Sequence, residues 1–367
     1  MSGPAVCVVG AGVVGAACAE ALAEAGCRVS VLEGGLAGTG ATAAAMGHLV
    51  VMDDSEAQLA LSVQSRRLWA ERASTLPAEC EDSPCGTLWV AGDEEEMNGV
   101  RQKAELYAVW GEPVEVLDAV ALREAEPRLR PGLAGALRVP GDRVIYPLGA
   151  TRFFLERAHS FGADVRERTA VEAVRPRGVR VGGAWSEADV VVVAAGAASP
   201  RLLPALPIEP RRGHLVITDR SSGFLRHQVI ELGYHARADA GEAVAFNVQP
   251  RPTGQVLIGS SREFVGWDPT VSASLRARML RRAAEFMPGI SALTALRTWV
   301  GFRPATPDGL PLIGEWEPGL FVAAGHEGLG ITTALGTARL VCDLVLGRPP
   351  ILDPRPFDPR RAEIMHG

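Results

Sequence analysis

Gly10-x-Gly12-x-x-Gly15 is the first group in the chain whose residue types and spacing point to chemistry, and Glu33 follows its third glycine by 18 positions. Each residue has a physical task in holding a dinucleotide. Gly10 permits a tight turn, Gly12 lets the backbone approach a pyrophosphate, and Gly15 lets a helix pack closely on a strand. The N–H groups at the start of that helix, around Val13 and Val14, offer positive potential to phosphates. Glu33 can accept hydrogen bonds from the ribose hydroxyls of an adenosine, and it repels a 2′-phosphate, which disfavours NADP. The rival reading is an accidental glycine-rich turn.

Two further stretches are equally bare. Gly38 to Gly47 reads GTGATAAAMG, and a backbone this free of side chains at Gly40, Ala41, Thr42, Ala45, Met46 and Gly47 can lie against a flat ligand; the bland alternative is a flexible loop. The segment GHEGLGIT runs from Gly325 through His326, Glu327, Gly328, Leu329, Gly330 and Ile331 to Thr332. With the strand that ends at Ala195 and Gly196, these make three places where the chain can approach one long cofactor, which favours FAD over NAD. Outside these stretches, Cys80 and Cys85 form a close pair, but two thiols lack the four ligands of a structural zinc, so no metal site is expected.

The elements that would position these residues follow from apolar pattern and turn chemistry. Ala5 to Val9 is a short unbroken apolar run, the signature of a strand buried on both faces. A helix over Val13 to Ala25 stops at Gly26, and a strand over Arg28 to Leu32 leads to Glu33. Helices are expected at 55–72, 97–109, 149–161 and 270–286, with a terminal apolar helix reaching Leu346. Strands are expected at 86–91, 171–174, 179–181, 190–194, 214–218, 243–248, 255–259 and 319–324. Nucleotide-fold elements therefore open and close the chain around a different centre. The expected fold is α/β, a Rossmann-type FAD-binding domain assembled from residues 1–50, 142–208 and 297–367. Into it is inserted an α+β substrate domain with an antiparallel sheet, residues 51–141 and 209–296.

Composition narrows the functional classes. The 367 residues are 47% hydrophobic and 22% charged with a net charge of −6, a globular balance with no electrostatic footprint for nucleic acid or anionic lipid. The N-terminus lacks a basic region ahead of its apolar run, and no apolar stretch reaches the roughly 20 residues that span a bilayer. A cytoplasmic location is expected, with the six cysteines as reduced thiols.

The segments GAGVVG with Glu33, GATAAAMGH, VVVAAGAAS, and GFRPATPDGLPLIG followed by GHEGLGIT are spread over nearly the whole length. Together they resemble the D-amino acid oxidase superfamily of FAD enzymes, which includes glycine and sarcosine oxidases and bacterial amino-acid dehydrogenases. Within it, GATAAAMGHLVVMDDSEAQLAL is most similar to the catalytic flavin subunit of bacterial D-hydroxyproline dehydrogenases. The resemblance implies that Arg303 grips the substrate carboxylate, and a guanidinium between Phe302 and Pro304 suits such a bidentate clamp. The alternative for Arg303 is a structural salt bridge to an acid such as Asp308. His48 is a candidate to accept the substrate ammonium proton or to orient the flavin, or else a hydrogen-bonded structural residue. His326 stands similarly, and Tyr234 is a candidate pocket donor. Val174 and the Ala195-Gly196 turn join the expected cofactor contacts.

Two departures shape the expected activity. Sarcosine oxidases of this superfamily use a lysine near the flavin to promote reaction with oxygen and attach the flavin through a cysteine shortly after the arginine segment. The only lysine here is Lys103, in a polar helix, and the first cysteine after Arg303 is Cys342. Both favour a dehydrogenase with non-covalent FAD. The expected reaction is oxidation of an amino acid or secondary amine, D-hydroxyproline-like or D-proline-like, by hydride transfer from Cα to flavin N5 to give an imine. The rivals are a glycine/sarcosine-type amine oxidase using oxygen, and a flavin-holding electron-relay subunit of a larger complex. An NAD-dependent dehydrogenase ranks lower. Redox partner subunits or a homo-oligomer are compatible with the sequence.

Overall fold

Unbroken valine-rich runs have no polar face to show to water, so they pair side by side in the interior of a parallel sheet. The computed structural model, which describes residues 3–233 and 244–361, places them so. The order in this six-stranded sheet is β18 (Leu312–Glu317), β19 (Leu320–Ala324), β12 (Val190–Val193), β1 (Ala5–Val9), β2 (Arg28–Leu32) and β8 (Asp164–Arg166). All neighbours are parallel except β18 and β19.

One face of the sheet is covered by helices α1 (Val13–Glu24), α2 (Glu56–Arg72), α5 (Pro147–Ser160) and α7 (Gly330–Val345), which share one core cluster. The other face packs a three-stranded antiparallel sheet of β9 (Ala173–Arg175), β10 (Gly178–Val181) and β11 (Ala184–Glu187) together with Leu203, Leu206 and Ile208. This is the expected nucleotide-binding architecture, built from segments far apart in sequence.

The second sheet has eight strands in the order β17 (Ala295–Ala305), β13 (Glu209–Thr218), β16 (Val256–Ser261), β15 (Val244–Pro250), β14 (Gln228–Glu231), β4 (Thr87–Ala91), β6 (Gly135–Val139) and β5 (Glu115–Asp118). Its neighbours are antiparallel except β4 and β14. Helices α6 (Ala273–Phe286) and α4 (Ala119–Ala125) pack on one face. The opposite face turns toward helix α3 (Glu94–Val109) and residues Val50 to Met52, which follow a short pair of strands, β3 (His48–Leu49) with β7 (Arg143–Val144).

Several boundaries differ from those read off the sequence, each for a local reason. Helix α3 begins at Glu94 rather than Met97 because the Asp93 side chain accepts the Glu96 N–H at 2.9 Å. Helix α5 begins at Pro147, whose fixed φ suits a first turn, and α6 begins at Ala273 behind the capping Ser272. The strand expected at 171–174 is centred on Ala173–Arg175. Strand β17 was not foreseen, since ALRTWVGFRPA shows neither alternation nor an apolar run, and the domain boundary expected at 297 falls inside it.

Glu20 on α1 ties the helical face together. Its side chain is 1% exposed and pairs with Arg72 of α2 and Arg157 of α5. Removing Glu20 leaves both arginines with only the partly exposed Glu24 as a partner, and both keep some access to water. Glu20→Ala should therefore lower the unfolding free energy by about 3 kcal/mol, at the lower end for broken buried pairs. Denaturant titration of the purified protein checks this; a loss under about 1 kcal/mol would mean the cluster is solvated.

Candidate functional site

The glycine motif forms a bare cradle between β1 and α1. A Cβ on Gly15 would lie 2.1 Å from the Gly10 carbonyl oxygen, so only glycine lets this helix sit so close to the turn. Gly12, which has no side chain, caps α1, and no acidic residue occupies the first turn. Glu33 is held rigidly beside it, accepting N–H bonds from Ala11 and Gly35, each at 2.8 Å. Val174 packs into the cluster that contains Val9, Leu32 and Val193, next to the end of β2. Ala195 and Gly196 follow β12 after a single residue, Ala194. A Cβ on Gly330 would stand 3.9 Å from Val14, which brings the start of α7 beside the start of α1. The cofactor segments expected from the sequence thus converge.

The small-residue loop is pinned from both sides. Val13 N–H donates to Thr42 Oγ1 at 3.1 Å, and Gly38 N–H to the Ala11 carbonyl at 2.9 Å. On the other side Trp299 Nε1–H donates to the Ala44 carbonyl at 3.2 Å, and Gln249 Nε2–H to the Met46 carbonyl at 2.9 Å. Gly47 closes the loop at φ +99, with the Ile145 carbonyl oxygen where a Cβ would be.

His48 follows at once, and the Thr332 hydroxyl at the start of α7 donates to its carbonyl oxygen at 2.9 Å. Its Nδ1 is buried without a hydrogen-bond partner among the described residues. Burial, with the Arg303 charge adding to it, pushes the imidazole down to about 4, against a smaller opposing effect of the Gly328 backbone. His48 is therefore neutral at physiological pH.

Arg303 sits on β17 directly across from Arg211 on β13. Its Nη1 donates to the Ser261 carbonyl at 2.9 Å, and its Nε lies 3.9 Å from Glu327 Oε2. Glu327 in turn is 2.6 Å from Arg211. Burial raises the Glu327 carboxyl, yet Arg303, Arg211 and Arg262, with the Gly328 N–H, hold it below its ordinary value. Asp308, the acid proposed as an alternative partner for Arg303, instead pairs with Arg361 at 2.9 Å. Gly213, two positions along β13, makes room for the guanidinium: a Cβ there would stand 2.2 Å from Nη1. The sequence reading missed Gly213 and the ion pairing of Glu327. A glycine inside a strand pattern, opposite Gly301, was the available signal for close approach.

The remaining candidates separate. His326 is 4% exposed, its Nε2 lies 3.0 Å from Thr337 Oγ1, and burial pushes its imidazole down to about 3. Tyr234 lies outside the described residues. Cys342 is buried in α7 with its Sγ 3.6 Å from the Ala21 carbonyl, and burial pushes its thiol up to about 11. Lys103 pairs with Asp53 and lies 4.6 Å from the ring centre of Trp89. No helix among the described residues is long and apolar enough to cross a membrane.

A flavin dinucleotide fits these residues. The cradle is bare where a pyrophosphate would lie, a fixed carboxylate stands at the end of β2, and an orphaned imidazole nitrogen is buried beside the loop. The comparisons agree. A family model described as FAD dependent oxidoreductase (DAO) matches residues 5–344. Glycine oxidase of Geobacillus kaustophilus is 32% identical over 371 residues, covering 96% of this chain and 95% of that protein. Its crystal structure superposes with a TM-score of 0.87 at 31% identity, covering 98% of each chain. D-amino acid dehydrogenase of Cereibacter sphaeroides is 29% identical over 309 residues, 80% of this chain and 68% of that protein.

The depressed imidazoles have a pH signature. Each folded-state value lies below the ordinary 6.5, so the unfolded chain binds the proton first and stability falls as pH drops from about 6.5 toward 4. Each such histidine contributes a slope of about 1.4 kcal/mol per pH unit in that window. His326→Asn should remove one such contribution. Denaturant titrations between pH 6.5 and 4.5 should show the variant losing less stability than the parent, whereas parallel curves would contradict the burial of a neutral His326.

Proposed function

The chain belongs to the DAO family of FAD dependent oxidoreductases, and from that membership we propose a dehydrogenase for a D-hydroxyproline-like or D-proline-like secondary amino acid, with FAD held non-covalently. It is an enzyme of amino acid or amine oxidation at a CH–NH bond. The observation that carries the finer reading is the guanidinium of Arg303, laid over Gly213 and fixed by the Ser261 carbonyl, with the neutral His48 close enough to feel its charge.

Arg303 presents a planar fork suited to a carboxylate, and Glu327 and Ser261 hold that fork in one orientation. Positioning of this kind is the largest contribution the chain can make to the reaction. The bound FAD supplies an acceptor for the hydride that leaves the substrate Cα, and the product is an imine. For that departure the amine must be neutral, and Arg303, Arg211 and Arg262 around one carboxylate disfavour an ammonium beside them. His48, depressed to about 4, is too weak a base to store the proton at neutral pH, so its role is to accept a hydrogen bond and orient.

Glycine-type oxidation with oxygen is the second reading, favoured by the similarity to glycine oxidase. Lys103, engaged by Asp53, supports the dehydrogenase. The assembled Arg303 site argues against a mere electron relay. Reduced enzyme mixed with air-saturated buffer in a stopped-flow instrument should reoxidise more slowly than with an artificial dye; reoxidation by oxygen as fast as substrate reduction would make it an oxidase.

Arg303→Ala removes a charge-assisted contact of roughly 1.5–3 kcal/mol, about one to two decades in the efficiency of flavin reduction. Gly213→Ala should reproduce much of this, since the new methyl displaces Nη1 while the long side chain can swing aside without disturbing the fold. Both variants should keep their FAD. Anaerobic bleaching by the best amino acid measures the effect, and unchanged rate and half-saturation in Arg303→Ala would refute the anchor. Acid precipitation should leave the yellow flavin in the supernatant, because Cys342 is sealed in the helical core. Colour in the pellet would show a covalent link.

A further inference from the structure

Strand β13 reads Arg211-Arg212-Gly213-His214 where it borders the cleft, and successive residues of a strand face opposite ways. Arg211 and Gly213 lie across from Arg303 and Gly301 and share their side of the sheet. Arg212 and His214 therefore look out of the other side, as does Val216, which shares a cluster with Leu275 and Met279 of α6. Both are buried, and both engage the end of the neighbouring strand, β16.

The ladder between β13 and β16 is irregular there. Val216 pairs with Ile258 and Arg212 bridges Glu263, four steps along one chain segment against five along the other, so the second carries one extra residue. A bulge of this kind frees a peptide group from the ladder, and here the Ser261 carbonyl accepts the Arg303 Nη1–H at 2.9 Å. The next residue, Arg262, adds its charge to the group around Glu327. The bulge thus sets the geometry of the carboxylate anchor from one side.

The bulge is held from behind, on the side of the sheet away from the cleft. Arg212 donates to Glu263 Oε2 from Nε at 3.1 Å and from Nη2 at 2.9 Å, and its Nη1 donates to the Asp268 and Thr270 carbonyls at 3.1 and 3.0 Å. His214 meets Ser261 itself. The serine hydroxyl oxygen takes the His214 backbone N–H at 3.0 Å and lies 2.8 Å from Nδ1, while the Ser272 N–H at the cap of α6 donates to Nε2 at 2.9 Å. A ring nitrogen that accepts carries no proton, so the neutral ring has its proton on Nδ1 and donates it to Ser261. Burial pushes this imidazole down against the pull of Glu263, and Arg212 and Arg303 add to the depression. The ring therefore stays neutral, with one donor and one acceptor, and each has a use.

We propose that His214 is a positioning residue for substrate binding: through the Ser261 hydroxyl it fixes the bulge whose carbonyl aims the Arg303 guanidinium at the substrate carboxylate. This rests on the reading of Arg303 as carboxylate anchor. His214 stands behind the sheet and acts only through that arginine, so the two residues form one energetic unit and their substitutions are not additive.

The test is a double-mutant cycle on the holoenzyme, read as the efficiency of anaerobic flavin reduction by the fastest of D-proline, D-4-hydroxyproline and glycine. His214→Leu, which removes donor and acceptor together, should lose fivefold or more in the parent background and less than twofold in the Arg303→Ala background. His214→Gln, whose amide again offers one group to donate and one to accept, should stay within threefold of the parent. Acetate, a bare carboxylate titrated against the flavin absorbance of the oxidised holoenzyme, should bind at least fivefold more weakly to His214→Leu and nearly unchanged to His214→Gln. If the leucine variant loses its flavin, Ser261→Ala carries the test, since it keeps the carbonyl and removes the hydroxyl; it should lose threefold or more. A harmless His214→Leu beside a damaged Arg303→Ala overturns this proposal alone. Equal losses in both backgrounds overturn it too, because His214 would then act elsewhere, and a glutamine variant as damaged as the leucine one would reduce the residue to packing. An unchanged Arg303→Ala refutes the anchor and this proposal with it.

Discussion

The closeness with which backbone can approach backbone along residues 38–47 governs the whole cleft. This loop carries almost no side chains, so it wedges between the two sheets, hydrogen-bonding α1 through Thr42 and the eight-stranded sheet through the Ala44 and Met46 carbonyls. The sheet answers with bareness of its own. At Gly301 a Cβ would stand 2.5 Å from that of Ala44. A single larger residue on either side would push the cofactor half of the molecule away from the half that carries Arg303, and the site would come apart although each half kept its fold.

Charge at the cleft is arranged on the same economy of parts. One carboxylate, Glu327, faces Arg303 and Arg211 and feels Arg262 as well. It neutralises part of the cluster and lets three guanidiniums share a small space. Its backbone at φ 48 is costly for a residue with a side chain, and the Glu327 N–H bond to the Pro304 carbonyl at 3.0 Å holds the turn against that cost.

What was legible in the sequence was local. The glycine motif with Glu33, the small-residue loop and the arginine segment each lie in a short stretch whose residue types state their purpose, and the structure brings them together. What was hidden depends on register between distant strands. Gly213 matters because β13 and β17 align it opposite Gly301. Strand β17 could not be seen at all, since its stability comes from its neighbour rather than from a regular apolar pattern of its own. His326 looked like a reactive group in one dimension, and in three its ring is turned into the core.

The order of segments in the central sheet sets a timetable for assembly. Strand β1 is made first, its neighbour β12 some 180 residues later, and β19 beyond residue 319. The latch between Thr332 and the strand of His48 closes later still. A chain emerging from the ribosome therefore exposes its glycine-lined cradle long before anything exists to cover it, and such long-range closure is slow. Any ligand that bridges the cradle and the start of α7 therefore meets a complete site only after that helix has docked against the strand of His48.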